Sequence, residues 1–413
     1  MLITNIKALV GIHPKEKEVL RGSEMANLPV LENAWLLLED GLIKDFGSMS
    51  ELGAMGKEQG ATLNAEGKFV FPSWCDSHTH LVFAASREEE FVMKIEGKTY
   101  EEIAAKGGGI LNSARKLAEA TEDMLFESAS VRLRDMIKQG TGAIEIKSGY
   151  GLTVESELKM LRVIKRLKNA FPIPIKATLL AAHTYPQEYK NDHQGYINLI
   201  INKILPTVAE EKLADYIDVF CERGFFSVEE TAQILSAAAK YNLKPKIHAN
   251  QLSVSGGVQV GVKHSAISVD HLEETDENVL SCLADSTTIA TLLPSCSFYL
   301  NIPFANARGL MNTNAIVALA TDYNPGSTPS GNMNFVVSLA CIKLKMMPEE
   351  AINATTLNGA AAMELSAEMG SIAKGKRANL FITREMPSLA YLPYSFGQTQ
   401  VETVILNGEI YNG

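Results

Sequence analysis

Apolar, strand-like runs alternate with amphipathic, helix-like stretches through the middle of this 413-residue chain. Strands that helices cover on both faces are apolar almost throughout, and regular strand–helix alternation is typical of a parallel sheet. Eight such units predict an α/β protein with a (β/α)8 barrel. The eight runs lie at residues 69–80, 141–151, 174–185, 216–224, 244–251, 266–274, 288–297 and 315–326.

Both ends of the chain carry a different pattern, with short strands separated by tight turns. Asp40-Gly41 and Asn407-Gly408 are dipeptides that favour two-residue hairpin loops. We therefore expect a small β-sandwich domain built from residues 1–70 and 371–413. Residues 71–370 would form the barrel between these two parts.

Charge and cysteine content exclude several classes of protein. The net charge of −10 argues against nucleic acid as a partner, because phosphate binding requires clustered Lys and Arg. Apolar runs stay below the ~18 residues that a membrane span needs, and the first residues lack a signal-peptide pattern. The five cysteines are scattered and form no CxxC pair, which indicates no disulfide framework and favours the cytoplasm.

Most of the apolar runs end in a polar side chain that is capable of chemistry. In a barrel of this kind, the carboxyl ends of the strands form the active site. The repetition therefore predicts a catalytic site at this rim. The residues concerned are His78, His80, Tyr150, His183, Glu222, His248, His271 and Asp322.

The spacing of His78 and His80 favours a metal site. Alternate residues of a strand share one face, so both imidazoles can reach the same ion. With His248 and Asp322 they would form a ligand set suited to zinc or ferrous iron, with a position left for a water that the metal activates. The alternative is that the histidines are hydrogen-bonded core residues and that Asp322 starts the turn at 324–326.

Further candidates have alternative structural roles. His183 and His271 suit substrate binding, proton transfer or metal ligation, but each could simply pack in the core. Arg87 can bind a carboxylate with two hydrogen bonds, or it can pair with the neighbouring Glu88–Glu90. Tyr150 can donate a hydrogen bond to substrate or anchor its loop.

Several stretches together resemble the amidohydrolase superfamily and, within it, the imidazolonepropionases of histidine degradation. The likeness covers nearly the whole chain. The stretches that carry it include DSHTHLVFAASREEEF, EIKSGYGL, HANQLS, VDHLEE, ATLLPSCSF and ALATDYNPGS.

The resemblance implies one divalent metal, Zn²⁺ or iron, and a small anionic heterocyclic substrate whose cyclic amide is hydrolysed. It also implies a homodimer. The implied metal ligands are His78, His80, His248 and Asp322, and the implied catalytic residues are His271, Asp322 and His183. The implied substrate contacts are Arg87, Tyr150, His183, Gln251, Asn324, Gly326 and Ser327.

The sequence departs from the family pattern near the predicted site. Position 251 is Gln where the family has Glu or Gln, and Asn250 stands where Asp is common. Proton transfer is therefore expected to fall on Asp322 and His271. Two alternatives remain open: another metal-dependent amidohydrolase or aminohydrolase of a heterocyclic ring, and a metal-free barrel without catalytic activity.

Overall fold

The eight predicted barrel strands are all present in the structure, a computed structural model that describes residues 1–53, 62–98, 102 and 108–413. They are parallel and lie side by side in chain order. The (β/α)8 prediction is therefore confirmed. The strands are β6 (Trp74–Asp76), β7 (Thr141–Lys147), β8 (Ile175–Ala182), β9 (Tyr216–Cys221), β10 (Lys244–Ala249), β11 (Ser268–His271), β12 (Ile289–Leu292) and β13 (Ile316–Leu319).

Helices surround the barrel, and polar side chains cap several of them. Thr121, Thr153 and Ser227 each accept a hydrogen bond from a backbone N–H of the first turn that follows. The helices are α1 (Glu88–Ile95), α2 (Ile110–Glu119), α3 (Glu122–Lys138), α4 (Val154–Ala170), α5 (His193–Leu199), α6 (Leu205–Glu210), α7 (Val228–Ala239), α8 (Gly257–Lys263), α9 (Glu277–Ala284), α10 (Pro294–Leu300), α11 (Ala307–Asn312), α12 (Met333–Ile342), α13 (Pro348–Thr355), α14 (Leu357–Ala361) and α15 (Tyr391–Tyr394). None of the described helices is both long and apolar enough to cross a membrane.

The barrel closes through the segments that follow β6 and β13. Thr79 forms an isolated parallel bridge with Tyr323, and the amide of His80 donates to the Tyr323 carbonyl at 2.9 Å. The sequence predicted one strand that reached His80, but β6 ends at Asp76. Beyond that point the chain pairs with the segment after β13 through this bridge, and the Thr79 carbonyl accepts from the Lys147 amide of β7 at 2.8 Å.

The small β domain expected from the two chain ends is present as one mixed sheet. Its strands are β1 (Leu2–Val10), β2 (Val30–Glu39), β3 (Leu42–Ser48), β4 (Thr62–Asn64), β5 (Lys68–Pro72), β14 (Leu380–Glu385), β15 (Val401–Leu406) and β16 (Glu409–Ile410). They lie in the order β16-β15-β14-β5-β1-β2-β3, and β4 pairs with β1. Both predicted hairpin dipeptides join antiparallel strands, at 40–41 and 407–408, with positive φ at both residues.

The chain passes from the small sheet into the barrel at one point on each side. Strand β5 ends at Pro72, and β6 starts at Trp74. Strand β14 starts at Leu380, after the last barrel helix. We propose that the protein divides into a barrel at residues 71–370 and a small domain of residues 1–70 and 371–413.

Candidate functional site

Four side-chain atoms from the ends of three strands, β6, β10 and β13, converge at the barrel rim. The Oδ1 atom of Asp322 lies 3.6 Å from Nε2 of His78 and 3.6 Å from Nε2 of His80. The Nε2 atoms of His80 and His248 are 3.4 Å apart. Ligands at about 2.1 Å from a tetrahedral zinc ion are separated by about 3.4 Å, so this spacing fits one divalent cation. The Nε2 atom of His78 is buried and has no hydrogen-bond partner among the described residues. Its lone pair is therefore available to bind a cation.

Buried carboxylates orient two of these imidazoles from behind. Nδ1 of His78 lies 2.7 Å from Asp270, and Nδ1 of His248 lies 2.8 Å from Asp218. A proton on Nδ1 directs the Nε2 lone pair toward the cluster, which is the usual arrangement of metal-binding histidines. Burial holds the pKa of His78 and of His80 well below the ordinary value, so both rings are neutral and able to bind a cation.

A charged network lies beneath the cluster inside the barrel. The Lys147 ammonium is 2.6 Å from Glu145, 2.9 Å from Asp218 and 3.6 Å from Asp270. Lys246 contacts the other oxygen of Glu145. All five side chains are fully buried. Burial opposes charge on Asp218, but His248 and Lys147 hold its pKa well below the usual range. These two contacts therefore hold the Asp218 carboxylate as an anion behind the His248 ring.

The sequence prediction missed this network because it considered only the ends of the strands. Its members are isolated charged residues within apolar runs: Glu145 and Lys147 in AIEIK at 143–147, and Asp218 in IDVF at 217–220. Charged side chains are almost never fully buried unless they are paired. Glu145 and Lys147, two residues apart, also share one face of β7. This pattern was available in the sequence.

His271 lies beside the cluster in a strained backbone conformation. Its φ is +88°, and that of Asp322 is +59°. Non-glycine residues in this region concentrate at functional sites, where the surrounding structure imposes the strain. One ring nitrogen of His271 lies within 4.8 Å of a ring nitrogen of His78 and of His248. Burial lowers the pKa of His271, but the adjacent Glu273 carboxylate outweighs it and leaves the pKa above the ordinary value.

The cluster opens into a cavity of about 530 Å³. The predicted site residues on its wall are His80, Arg87, Tyr150, His183, His248, Gln251, His271, Asp322, Asn324, Gly326 and Ser327. The structure therefore brings the predicted ligands and substrate contacts together, with His78 deeper in the barrel, whereas Glu222 does not line the cavity. The wall also includes residues that the sequence prediction missed, among them Glu90, Lys94, Phe220, Phe225, Leu252 and Leu300.

Arg87 places its guanidinium beside the cavity. Its Nε donates to Ser113 Oγ at 2.9 Å, and its guanidinium carbon lies 5.9 Å from the centre of the Tyr150 ring. Glu90 is 3.9 Å from Nε, at the edge of ion-pair range. A methyl group on Gly326 would come within 2.5 Å of Nη1. The end of the guanidinium thus faces the loop of Gly326 rather than the acidic run that follows it.

His183 lies on the cavity wall and contacts the backbone of Gly149. Nδ1 of His183 lies 3.2 Å from the carbonyl oxygen of Gly149 and donates to it as a neutral ring, which leaves a lone pair on Nε2. Burial lowers the pKa of His183 to about 3. Gly149 has φ of +112°, and a Cβ there would come within 2.9 Å of the same nitrogen. Only glycine allows this approach.

A buried carboxylate from helix α4 shapes the loop that carries Tyr150. Glu157 accepts hydrogen bonds from the amides of Gly149, Gly151 and Leu152 at 3.2, 2.7 and 2.9 Å. Burial raises the pKa of Glu157. The Tyr150 side chain is itself buried, at 4% exposure. These hydrogen bonds fix the conformation of the loop. The sequence around Tyr150 does not indicate that Glu157 is the residue that holds it.

The loop after β13 is held by its own side chains. Asn324 Oδ1 accepts from the amides of Gly326 and Ser327 at 2.8 and 2.7 Å, and its Nδ2 donates to the Asp322 carbonyl at 2.7 Å. The Ser327 hydroxyl donates to Asp322 Oδ2 at 3.2 Å. Asn324 therefore shapes the loop, while Ser327 holds the second oxygen of the predicted metal ligand.

Gln251 lies on the cavity wall between the cluster and helix α10. Its Nε2 donates to the Cys296 sulfur at 3.5 Å. The carboxylate of Glu222 fixes the adjoining backbone by accepting from the amides of Leu252 and Ser253 at 3.0 and 3.3 Å. An amide at position 251 cannot act as a general base. Of the two carboxylates on the cavity wall, Glu90 and Asp322, only Asp322 belongs to the cluster.

Comparison with known proteins identifies the family of the chain over its full length. The sequence profile of the amidohydrolase family matches residues 69–411. An imidazolonepropionase from Christiangramia forsetii is 54% identical over 99% of both chains, and one from Flavobacterium johnsoniae is also 54% identical over 99% of both. A triazine hydrolase variant has the same fold, with a TM-score of 0.76 at 15% identity, over 99% of this chain and 94% of that one. The chain belongs to the amidohydrolase family and, within it, to the imidazolonepropionases.

Proposed function

We propose that the protein hydrolyses the cyclic amide of 4-imidazolone-5-propanoate to N-formimidoyl-L-glutamate, a step of histidine degradation. One observation carries this proposal: the His/Asp cluster and the Arg87 guanidinium line the same cavity of about 530 Å³. A ring amide with an anionic tail matches that pairing of a cation site with a fixed positive charge. The imidazolonepropionases that resemble the chain over its full length support the same reaction.

His78, His80, His248 and Asp322 would hold the cation. The spacing of these atoms and the unpartnered Nε2 of His78 support this assignment. When bound, a divalent cation there supplies Lewis acidity and makes a coordinated water more acidic. Zinc and iron both accept three imidazoles and one carboxylate.

Substrate binding is assigned to the cavity wall. Arg87 binds the propionate by charge-assisted hydrogen bonds, and the Tyr150 hydroxyl assists it. His183 Nε2 and the Gln251 amide contact the ring nitrogens and oxygen. The loop of Asn324, Gly326 and Ser327 lines the wall next to Arg87.

Proton transfer is assigned to Asp322, His271 and His183. Water adds its oxygen to the ring carbonyl carbon, and Asp322 accepts the proton that this water gives up. His271 stabilises the developing negative charge on the carbonyl oxygen. The bond between that carbon and the ring nitrogen then breaks, and the proton moves from Asp322 to the departing nitrogen. His183 orients the ring. Burial raises the pKa of Asp322, which favours a carboxylate able to accept this proton.

Ultraviolet-monitored decay of imidazolonepropionate tests the function. The purified protein should accelerate the decay, a chelator should abolish the acceleration, and added Zn²⁺ or Fe²⁺ should restore it. The metal that restores more activity identifies the better cofactor. Turnover of a hydantoin or an aminated heterocycle with no turnover of imidazolonepropionate would favour the alternative hydrolase, and protein without metal or activity would favour the non-catalytic alternative.

We also propose that the protein works in the cytoplasm as a homodimer. All five cysteines are free thiols, in keeping with a reducing compartment. The dimer is supported by the family resemblance alone. Sedimentation equilibrium at micromolar concentration gives the mass directly, and a mass near 44.9 kDa, that of one chain, would contradict the dimer.

A further inference from the structure

A second group of potential metal ligands lies on the far side of His271. Nδ1 of His271 is 3.4 Å from Glu273 Oε1 and 3.4 Å from Oε2, and the Cys296 sulfur completes the group. The nitrogen, a carboxylate oxygen and the sulfur all lie within 4.8 Å of one another. The three residues are at most 6% exposed. This group adjoins the cluster described above through His271, but it includes none of the four proposed ligands of the first cation.

The Glu273 carboxylate is not satisfied by the protein. Ser297 donates to Oε1 at 3.2 Å, but Oε2 is buried and accepts no hydrogen bond from any described residue. A buried acceptor without a donor costs free energy, and a buried anion costs more. A cation bound at Oε2 would remove this cost.

The chemistry of the three ligands selects a thiophilic divalent cation. Imidazole nitrogen, thiolate sulfur and carboxylate oxygen are ligands that Zn²⁺ and Cd²⁺ accept together, whereas Mg²⁺ and Ca²⁺ prefer oxygen alone. The charges of one thiolate and one carboxylate balance a divalent ion. A coordinating thiol is deprotonated, so binding at Cys296 releases the thiol proton to solvent.

The cavity provides a route to this group. Gln251 lines the cavity, and its amide nitrogen contacts the Cys296 sulfur at 3.5 Å. His271 also lines the cavity. An ion that enters the substrate cavity therefore meets the Gln251 side chain, which it must displace to reach the sulfur.

We propose that His271 Nδ1, Glu273 Oε2 and Cys296 Sγ form a second site, which binds Zn²⁺ or Cd²⁺ and inhibits the enzyme. A His271 ring whose Nδ1 atom is bound to a cation can no longer donate to Glu273, so it loses the contact that positions it beside the first cluster. Occupancy also places a second positive charge next to the first cluster. Inhibition rests on the proposed function of His271, but binding itself does not.

Titration of metal-free protein with Cd²⁺ tests the site. The wild-type protein should bind two Cd²⁺ per chain, and the second should produce the ultraviolet charge-transfer band of a cadmium thiolate. Cys296→Ser should bind one Cd²⁺ and show no band. Glu273→Gln, which leaves the thiol in place, should weaken the second binding event at least tenfold. Cys282→Ser removes a partly exposed thiol elsewhere and should behave like wild type.

Two results would overturn the proposal: a single Cd²⁺ per wild-type chain without the band, or a band that persists in Cys296→Ser. His78→Ala separates this proposal from the main one. That variant should lose the first ion and turnover but keep the cadmium–thiolate band. The second site is therefore tested independently of the hydrolase assignment. In wild type, turnover should fall as the band grows.

Discussion

The backbone amide of Asp322 donates a hydrogen bond to the carbonyl of His78 at 3.0 Å, and the side chains of the same two residues approach to 3.6 Å. The contact that closes the barrel is therefore also the contact that assembles the cluster. Asp76 strengthens this junction, because its carboxylate accepts from the Thr321 amide at 3.0 Å and from the Thr321 hydroxyl at 2.7 Å. Two residues 244 positions apart in the chain are positioned by the fold rather than by a local motif.

Asp270→Asn should weaken metal binding about 10- to 100-fold, because an amide oxygen holds the Nδ1–H of His78 less strongly than a carboxylate. The contact removed is the 2.7 Å bond to His78 Nδ1. Competition with a chromophoric chelator measures the affinity. Asp285→Asn, at an exposed helix end, is the matched control. Equal affinities in the two variants would mean that Asp270 does not orient the ligand.

The eight strands and the polar residues at their carboxyl ends could be read from the sequence because each is a local pattern. A buried strand requires a continuous apolar run, and the barrel places all its carboxyl ends at one rim. The same reasoning placed His248 and Asp322 with His78 and His80. Their distances depend on strand register, which the sequence does not state.

The residues that could not be predicted act through long-range contacts. Glu157 is on helix α4 and holds the Tyr150 loop through three amides, but its sequence context is that of an ordinary helix residue. Glu273 follows His271 closely, but its partner Cys296 follows the next barrel strand. These pairings depend on the order of the strands and on the paths of the loops, which the hydrophobic periodicity of the sequence does not indicate.

Arg87→Met should lower kcat/KM for imidazolonepropionate about 30-fold or more, mainly through KM, because loss of a charge-assisted pair costs about 2 kcal/mol or more. The metal content should not change, since Arg87 contacts Ser113 and Tyr150 rather than the ligands. Steady-state kinetics with elemental analysis measures both quantities. Arg115→Met, on the exposed face of helix α2, is the control. Wild-type kinetics in Arg87→Met would remove this residue from the site.

Gly326→Ala should raise KM about tenfold without changing metal content. The added methyl group would lie 2.5 Å from Arg87 Nη1, so the guanidinium must move away from its present position. A displacement of this size at a positioning group is costly to turnover. Gly397→Ala is the matched control, because a methyl group there meets no atom within 4 Å. If Gly326→Ala and Gly397→Ala have the same KM, the guanidinium does not need this position.

His13 should make the protein less stable as the pH falls below about 6.5, the ordinary pKa of histidine. It is buried at 4% exposure beside Asn353, with its Nε2 atom 3.2 Å from Asn353 Oδ1, and burial lowers its pKa in the folded state. Between the lowered pKa and 6.5, the unfolded chain binds a proton that the folded chain does not. Stability contributed by the neutral ring is therefore complete above 6.5 and falls with decreasing pH.

Chemical denaturation of wild type and His13→Gln at pH 8 and pH 5.5 isolates this effect from that of the other histidines. The free energy of unfolding of wild type, relative to the variant, should fall by about 1 kcal/mol between the two pH values, because one pH unit corresponds to about 1.4 kcal/mol per proton. Glutamine has no proton to gain in this range and can still donate to Asn353. A difference between the two proteins that is the same at both pH values would show that His13 is protonated equally in the folded and unfolded chains.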